Sequence, residues 1–364
     1  MKSAIKKTIE SAIRALATAG KLPADQVIDI QLERCRDEQH GHFASNIALI
    51  LAKSAGQSPR ALAQLIVDHF PPCELIQKVD IAGPGFINFF LVDDALLSII
   101  PAVLSAGDHF GCSDEGKGQR IHIEYVSANP TGPLHVGHGR SAAYGACVSN
   151  LLAAIGYDVH REYYVNDAGR QMRILALSVW LRYLELLGEA MVLPENGYQG
   201  GYIVDIAAAL KAAHGDQYRQ SYGDFIAKIS KEIDNEDRRV DAMIDVMQAL
   251  IGTDAFDIFR QAALESILAD IKADLVEFGV IYQQWFRESQ LFKNKLLDDG
   301  IGLLKSQGHV FERSGALWFR ATDFGDEKDR VLLRANGQPT YFASDVAYHL
   351  YKYQQGYDRI IDVF

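Results

Sequence analysis

Apolar residues recur along this chain at two periods, and each change of period marks an element. Ile5, Ile9, Ile13 and Leu16 fall on one face of a helix that Gly20 stops. Residues 27–32 alternate like a strand, and 43–53 read as a helix ending near Gly56. Ser58-Pro59 is a start signal for a helix reaching about residue 70. Strands are predicted over 79–82 and 86–92, then a helix from Asp93 or Asp94 to 105. The polar, Gly-rich stretch 107–118 reads as a linker. Beyond it come a buried strand at 121–126, a loop, a helix at 138–155 ended by Gly156, and a strand at 159–165. Residues 190–262 interrupt this rhythm with Pro194-Glu195-Asn196-Gly197, several helical stretches and a charged run over 231–239, read as a solvated helix face. A helix at 263–277, strands at 316–319 and 330–333, a turn at Asn336-Gly337, a helix at 342–354 and the apolar run 360–364 complete the pattern.

Strands alternating with helices predict an α/β protein with a parallel, doubly wound sheet of the Rossmann type. Ligands of such sheets sit beyond the C-terminal ends of the strands. The predicted organisation is an N-terminal α/β module over 1–115, a first half of the nucleotide fold over 116–190, a mostly helical insertion over 191–262, and a continuation over 263–364. The chain closes on a strand-like segment, so the sheet is expected to be incomplete at that end.

Composition narrows the function classes. Nearly half of the 364 residues are apolar, ordinary for a protein with buried cores. No window approaches the roughly 18 uninterrupted apolar residues of a membrane helix. The start is basic but lacks the apolar core of a secretory signal. Cys35, Cys73, Cys112 and Cys147 are scattered, with no C-x-x-C, which fits a reducing cytoplasm. The net charge of −11 argues against indiscriminate nucleic-acid binding but leaves room for a local basic stripe.

The most informative stretch runs from Ile121 to Arg140. An apolar strand enters a Pro/Gly loop that delivers His135 and His138 to a helix start, three apart and so on one face. Pro133 sits where a first helical turn tolerates proline. Gly137, Gly139, Ser141, Ala142 and Ala143 let a flat group lie against the backbone. Helix N-termini attract phosphate, and two imidazoles there can donate hydrogen bonds to its oxygens. An isolated H-x-x-H usually carries no function. Gly137-x-Gly139-x-x-Ala142 also fits a dinucleotide fingerprint, but that motif wants its first glycine directly after the strand, and Ser127 to His135 intervene here.

The segments EYVSANPTGPLHVGHGRSAAYG and REYYVNDAGRQM resemble the signature region of arginyl-tRNA synthetases, and His135-Val136-Gly137-His138 is similar to the H-x-G-H motif of class I synthetases. Gly41-His42-Phe43-Ala44-Ser45-Asn46 and Gly83-Pro84-Gly85-Phe86-Ile87-Asn88-Phe89 resemble that family's N-terminal domain. Thr340-Tyr341-Phe342-Ala343-Ser344-Asp345 resembles its arginine-site helix.

The resemblance implies a ligase that activates L-arginine with ATP and transfers it to the 3′ end of tRNA(Arg). His135, Gly137, His138 and Asn129 would hold ATP, with His135 and His138 catalytic as donors to phosphate oxygens. Mg²⁺ would be held mainly by ATP, with no metal site of the protein's own. Glu124, Asn129, His135, Tyr341 and Asp345 would bind arginine, because a guanidinium offers planar paired donors that carboxylates match. Phe86 and Asn88 would read a D-loop base of tRNA. A monomer is expected.

Gly132 departs from the lysine that many members carry three residues before the first signature histidine. The resemblance therefore implies a lysine-bearing Lys-Met-Ser-Lys-type loop and an anticodon-binding domain beyond residue 364, and little arginyl-adenylate formation by these residues alone. Near full-length turnover in an ATP–pyrophosphate exchange assay would overturn that expectation. The rival readings are another H-x-G-H nucleotidyltransferase and an inactive fragment or tRNA-binding paralogue.

Overall fold

Period and capping account for most elements of the computed structural model, which describes residues 1–23, 29–230 and 232–363. The chain divides into two units, Met1–Phe110 and Gly111–Phe364.

In the first unit α1 (Lys2–Thr18) buries the stripe Ile5, Ile9, Ile13 and Leu16. Short strands β1 (Glu33–Arg34) and β2 (Phe43–Ser45) precede α2 (Ile47–Ala55) and α3 (Pro59–Val67). Ser58 caps α3 through the Ala61 N–H, with Pro59 at its first position. Then come β3 (Ile76–Ala82), β4 (Phe86–Leu91), α4 (Asp93–Leu97) and α5 (Ile99–Ala106). The sheet is antiparallel, in the order β1-β2-β4-β3. Ile87, Phe89 and Leu91 of β4 point into the helical core.

Three expectations change here. Residues 29–32 carry no strand, residues 27 and 28 lie outside the described set, and pairing begins at Glu33. Phe43–Ser45 is strand rather than helix, because β4 offers it a partner (Phe43 opposite Phe89). The helix predicted over 93–105 breaks at Ser98. Pro101 has no N–H to give the carbonyl of residue 97, so the first helix cannot continue through it.

The second unit opens with β5 (Arg120–Tyr125), α6 (Val136–Ala154), β6 (Asp158–Val165) and α7 (Arg170–Leu186). Helices α8 (Gly201–His214), α9 (Tyr222–Ala227), α10 (Glu236–Ile251) and α11 (Thr253–Glu277) follow. Next are β7 (Gln284–Arg287), α12 (Ser289–Lys293), α13 (Leu296–Ser306), β8 (Val310–Arg313), β9 (Ala316–Phe319), β10 (Arg330–Leu333), α14 (Tyr341–Gln354) and β11 (Arg359–Val363). The 25-residue α11 runs straight through residue 262, where the insertion was expected to end. The charged run is helical only from Glu236, with Asn235 capping the Arg238 N–H at 3.0 Å; Lys231 lies outside the described residues.

Four parallel strands lie in the order β11-β5-β6-β7, and a separate antiparallel sheet takes the order β10-β9-β8. Chain order runs outward from β5 on one side and jumps to β11 on the other. The gap between β5 and β11 is therefore the topological switch point, where ligands of such sheets bind. The two faces of the sheet differ. Ile121, Ile123, Tyr125, Val159, Tyr163 and Val165 pack with α7, α8, α10 and α11 in one large core that includes fully buried Trp180. His122, Glu124 and Glu162 take the opposite parity and are buried all the same.

Helix α6 approaches β5 closely because of a glycine. A Cβ on Gly145 would lie 2.2 Å from Tyr125 Cγ, and that ring is itself buried against Tyr282 at 4.7 Å. Gly145→Ala is expected to cost about 2–3 kcal/mol through overpacking, read in a thermal melt. An unchanged melting temperature would mean that the ring turns aside freely. Among the described residues no helix is long and apolar enough to cross a membrane.

Candidate active site

The loop between β5 and α6 leaves the sheet through two consecutive left-handed residues, Val126 (φ 68°) and Ser127 (φ 41°). A β-branched residue in that region is strained, so its surroundings must hold it there. The Val126 N–H donates to Ser141 Oγ at 3.2 Å, and Tyr163 OH donates to the Ala128 carbonyl at 3.0 Å. Tyr202 OH donates to the Thr131 carbonyl at 2.7 Å. The turn aims Ser127 back at the strand it left. Its Oγ donates to Glu124 Oε1 at 2.8 Å and accepts from the Tyr164 N–H at 3.1 Å.

Pro133 lies before the helix rather than in its first turn, since α6 starts at Val136 with His135 as its cap. His135 Nδ1 accepts from the Gly137 N–H at 3.1 Å, and His138 Nδ1 accepts from the His135 N–H at 3.3 Å. The rings stack with centroids 3.6 Å apart, tilted by 19°. A ring nitrogen that accepts carries no proton, so each Nδ1 role places the single proton of the neutral ring on Nε2. Desolvation, and then the facing His135 ring, lower the His138 pKa and keep it neutral. The pair thus offers Nε2–H donors at a helix N-terminus, which already favours anions.

A cavity of about 600 Å³ opens at the switch point, lined by Glu124, Val126 and Ser127 from β5 and its loop, by Gly137, His138, Arg140, Ser141 and Tyr144 of α6, by Tyr164, by Asp345, Tyr348 and His349 of α14, and by Val363. His138 and Asp345 therefore share one space. Asp345 is open to the cavity, yet the surrounding protein still desolvates its carboxyl enough to raise the pKa. His349 opposes that rise, the Glu124 carboxylate adds to it, and Lys352 opposes it. Glu124 is buried and already engaged by Lys352 Nζ at 2.6 Å.

The remaining candidates are placed differently. His135 and Asn129 sit on the exposed loop beside the cavity rather than among its lining residues. Tyr341 lies one turn before Asp345 but is 69% exposed and lines a neighbouring cavity with Arg170, Arg334, Glu288 and Ser344. The helix begins at Tyr341 itself, which turns this ring outward at the rim. Gly132 faces Tyr202, whose hydroxyl would stand 3.0 Å from an added Cβ. In the first unit Phe86 is 40% exposed, whereas Asn88 is buried between Ala44 and Asp80 on the neighbouring strands. Both were expected to meet a tRNA base, but only the aromatic is a surface group; the asparagine is interior. No group of three or more His, Cys, Asp or Glu side chains suited to a metal ion occurs among the described residues.

Sequence reading missed Ser127, Tyr164, Tyr348, Lys352 and Glu288. The signal for Lys352 lay in the strands: Glu124 and Asp362 are charged positions within otherwise apolar runs, which call for a buried cation. Burial pushes the Glu288 carboxyl up to about 7, with Asp167 and Asp345 adding to the shift and hydrogen bonds from Ser344 and Tyr164 opposing it. An acid raised in this way binds extra protons in the folded state between its ordinary pKa and about 7, so stability falls as pH rises through that window. Glu288→Gln removes the effect. The variant is expected to gain on the parent between pH 5 and pH 8 by on the order of 2 kcal/mol in paired thermal melts. A constant difference across that range would contradict it.

Comparison with known proteins fits this geometry. Residues 2–91 match the arginyl tRNA synthetase N terminal domain, and residues 99–364 match the catalytic domain of class I (R) tRNA synthetases. Over 367 aligned positions the chain is 56% identical to an arginine–tRNA ligase of Coxiella burnetii (strain RSA 331 / Henzerling II) and 51% identical to one of Legionella pneumophila (strain Corby); in both cases all of this chain and 63% of the relative are covered. The chain thus spans about 63% of the length of these curated relatives. Among solved structures, Thermus thermophilus arginyl-tRNA synthetase superposes with a TM-score of 0.59 at 24% identity, over 95% of this chain and 53% of that one. The Plasmodium falciparum enzyme gives 0.61 at 15% identity, over 98% and 58%. These two likenesses speak for the fold. Because the catalytic-domain match takes in well over half of its residues, the chain belongs to the arginyl-tRNA synthetase family of class I tRNA synthetases.

Proposed function

We propose that this protein serves arginine–tRNA ligation: L-arginine is activated by ATP to arginyl-adenylate, and the arginyl group passes to the 3′ end of tRNA(Arg). The observation that carries this reading is the single cavity at the β5/β11 switch point, which unites His138 with the carboxylates of Glu124 and Asp345. In the reading, Asp345 takes the guanidinium fork of the substrate, with Glu124 adding negative charge, while Tyr341 faces the neighbouring cavity and takes no part. Asn129 and His135 hold the polar groups of the amino acid and the nucleotide at the loop. The substrate carboxylate attacks the α-phosphorus, a carboxyl–phosphate bond forms, and the bond to pyrophosphate breaks. The chain supplies position and charge stabilisation through the His135 and His138 Nε2–H groups and the N-terminus of α6. Gly137 leaves room for the adenosine against the backbone. Mg²⁺ would arrive with ATP, held by phosphate and water.

For tRNA, the exposed Phe86 ring offers a stacking surface. Asn88 has little surface to offer a base, so Phe86 carries this part of the reading. In this reading the protein acts as a cytoplasmic monomer.

Calorimetric titration tests the reading. L-arginine should bind, and L-citrulline, its neutral analogue, should bind at least about 100-fold more weakly, because it lacks the positive charge and puts a carbonyl oxygen where arginine has a donor. Equal affinities would end the assignment.

A further inference from the structure

Glu124 and Asp362 occupy paired positions on the adjacent parallel strands β5 and β11, on the same face of the sheet. Like charges set side by side in this way repel. Lys352 of α14 resolves the conflict: its Nζ lies 2.6 Å from Glu124 Oε2 and 2.6 Å from Asp362 Oδ1, and its side chain is fully buried. The ammonium also sits 4.2 Å from the centre of the Tyr348 ring, whose hydroxyl donates to Glu162 Oε1 at 2.5 Å. Two carboxylates and an aromatic face thus enclose the ammonium, the surroundings a buried cation requires.

Lys352 does not line the cavity, but Glu124 does. Lys352 and Asp345 stand seven residues apart on α14, two turns, so the cation that meets Glu124 also fixes the roll of the helix that presents Asp345. We propose that Lys352 is a positioning residue for arginine recognition, holding the Glu124 carboxylate in place and offsetting the repulsion from Asp362 while Asp345 remains open for the guanidinium. The inference rests on the assignment of the cavity to arginine.

The alternative is that Lys352 merely supports the fold. The two differ in how affinity responds to pH. The titratable groups facing Glu124 are Lys352, Asp345 and His349 on α14, Asp362 on β11, Glu162 on β6 and His138 on α6. Three tyrosines, Tyr164, Tyr282 and Tyr348, also surround it, with pKa values raised chiefly by desolvation, so they stay protonated. With Lys352 gone, every carboxylate in this set disfavours an ionised Glu124, and protonation of that carboxyl would remove its attraction for arginine.

The test is calorimetry of the chain with L-arginine at pH 6.5 and pH 8.5. For Lys352→Met, the ratio of the two dissociation constants should exceed that of the parent by at least about tenfold, with weaker binding at the lower pH, and Lys352→Arg should return it to the parent's value. Should Lys352→Met fail to fold, Lys352→Gln with Asp362→Asn keeps the net charge and hydrogen-bonding groups, and the same pH-dependent loss is expected. Parent-like affinity at both pH values in a folded variant would overturn the inference. Absence of arginine binding by the parent would instead remove the arginine assignment beneath it.

Discussion

Asp345→Asn is expected to weaken L-arginine binding about 100-fold while leaving ATP binding within threefold. The substitution is nearly isosteric, so α14 and its packing survive. It exchanges a carboxylate that accepts two parallel N–H donors for an amide that turns one donor toward the guanidinium. Losing a charge-assisted, bidentate pair costs about 3 kcal/mol. Asp345 rather than Glu124 should show the larger direct effect, because Glu124 already answers to Lys352 and Ser127, whereas Asp345 faces the cavity. The raised pKa of Asp345 adds a sign. Arginine affinity should fall on acidification, and at a higher pH than an ordinary aspartate would give, because the guanidinium needs the ionised carboxylate. Calorimetry of parent and variant across pH 4–8 reads both effects; parent-like affinity in the Asp345→Asn variant would place the guanidinium elsewhere.

The second large effect falls at the other end of the cavity. His138→Ala should weaken ATP binding about 10- to 100-fold and leave arginine within threefold. The lost donor to phosphate accounts for about 1.5–3 kcal/mol. The cap it gives the His135 N–H is worth at most about 1 kcal/mol of helix stability, so the variant should fold. His135→Ala should act in the same direction, since each ring uses its Nδ1 to order the turn and keeps Nε2–H free. A loss spread equally over ATP and arginine would point to collapse of the loop rather than to a missing donor.

Much of this site was legible in the sequence because it lies where regular elements meet. The apolar run into a Pro/Gly loop placed both histidines at a helix start, and the alternation of strands and helices placed that start at the end of a parallel strand. The errors have identifiable causes. Phe43–Ser45 has a helical apolar pattern but is captured by β4, a long-range pairing with no local signal. Pro133 suits a first turn, yet the chain spends two more residues before α6, with the loop pinned in part by Tyr202.

The partners of Glu124 were the least visible. Lys352 lies 228 positions away from it, and only the fold brings them together. What the sequence did hold was the anomaly itself, a charged residue at a buried strand position. Tyr341 illustrates the opposite limit. Its i, i+4 spacing from Asp345 was read correctly, but spacing alone could not tell that the first residue of the helix would face a neighbouring cavity.

One measurement bears most directly on the account, in which the carboxylate pocket and the histidine-capped helix end are two halves of one site. The chain is titrated with a non-hydrolysable arginyl-adenylate analogue, alone and in the presence of saturating arginine or saturating ATP. The account predicts one analogue per chain, bound more tightly than either substrate and displaced by each of them separately. An analogue displaced by arginine but indifferent to ATP would show that the two halves do not form one site.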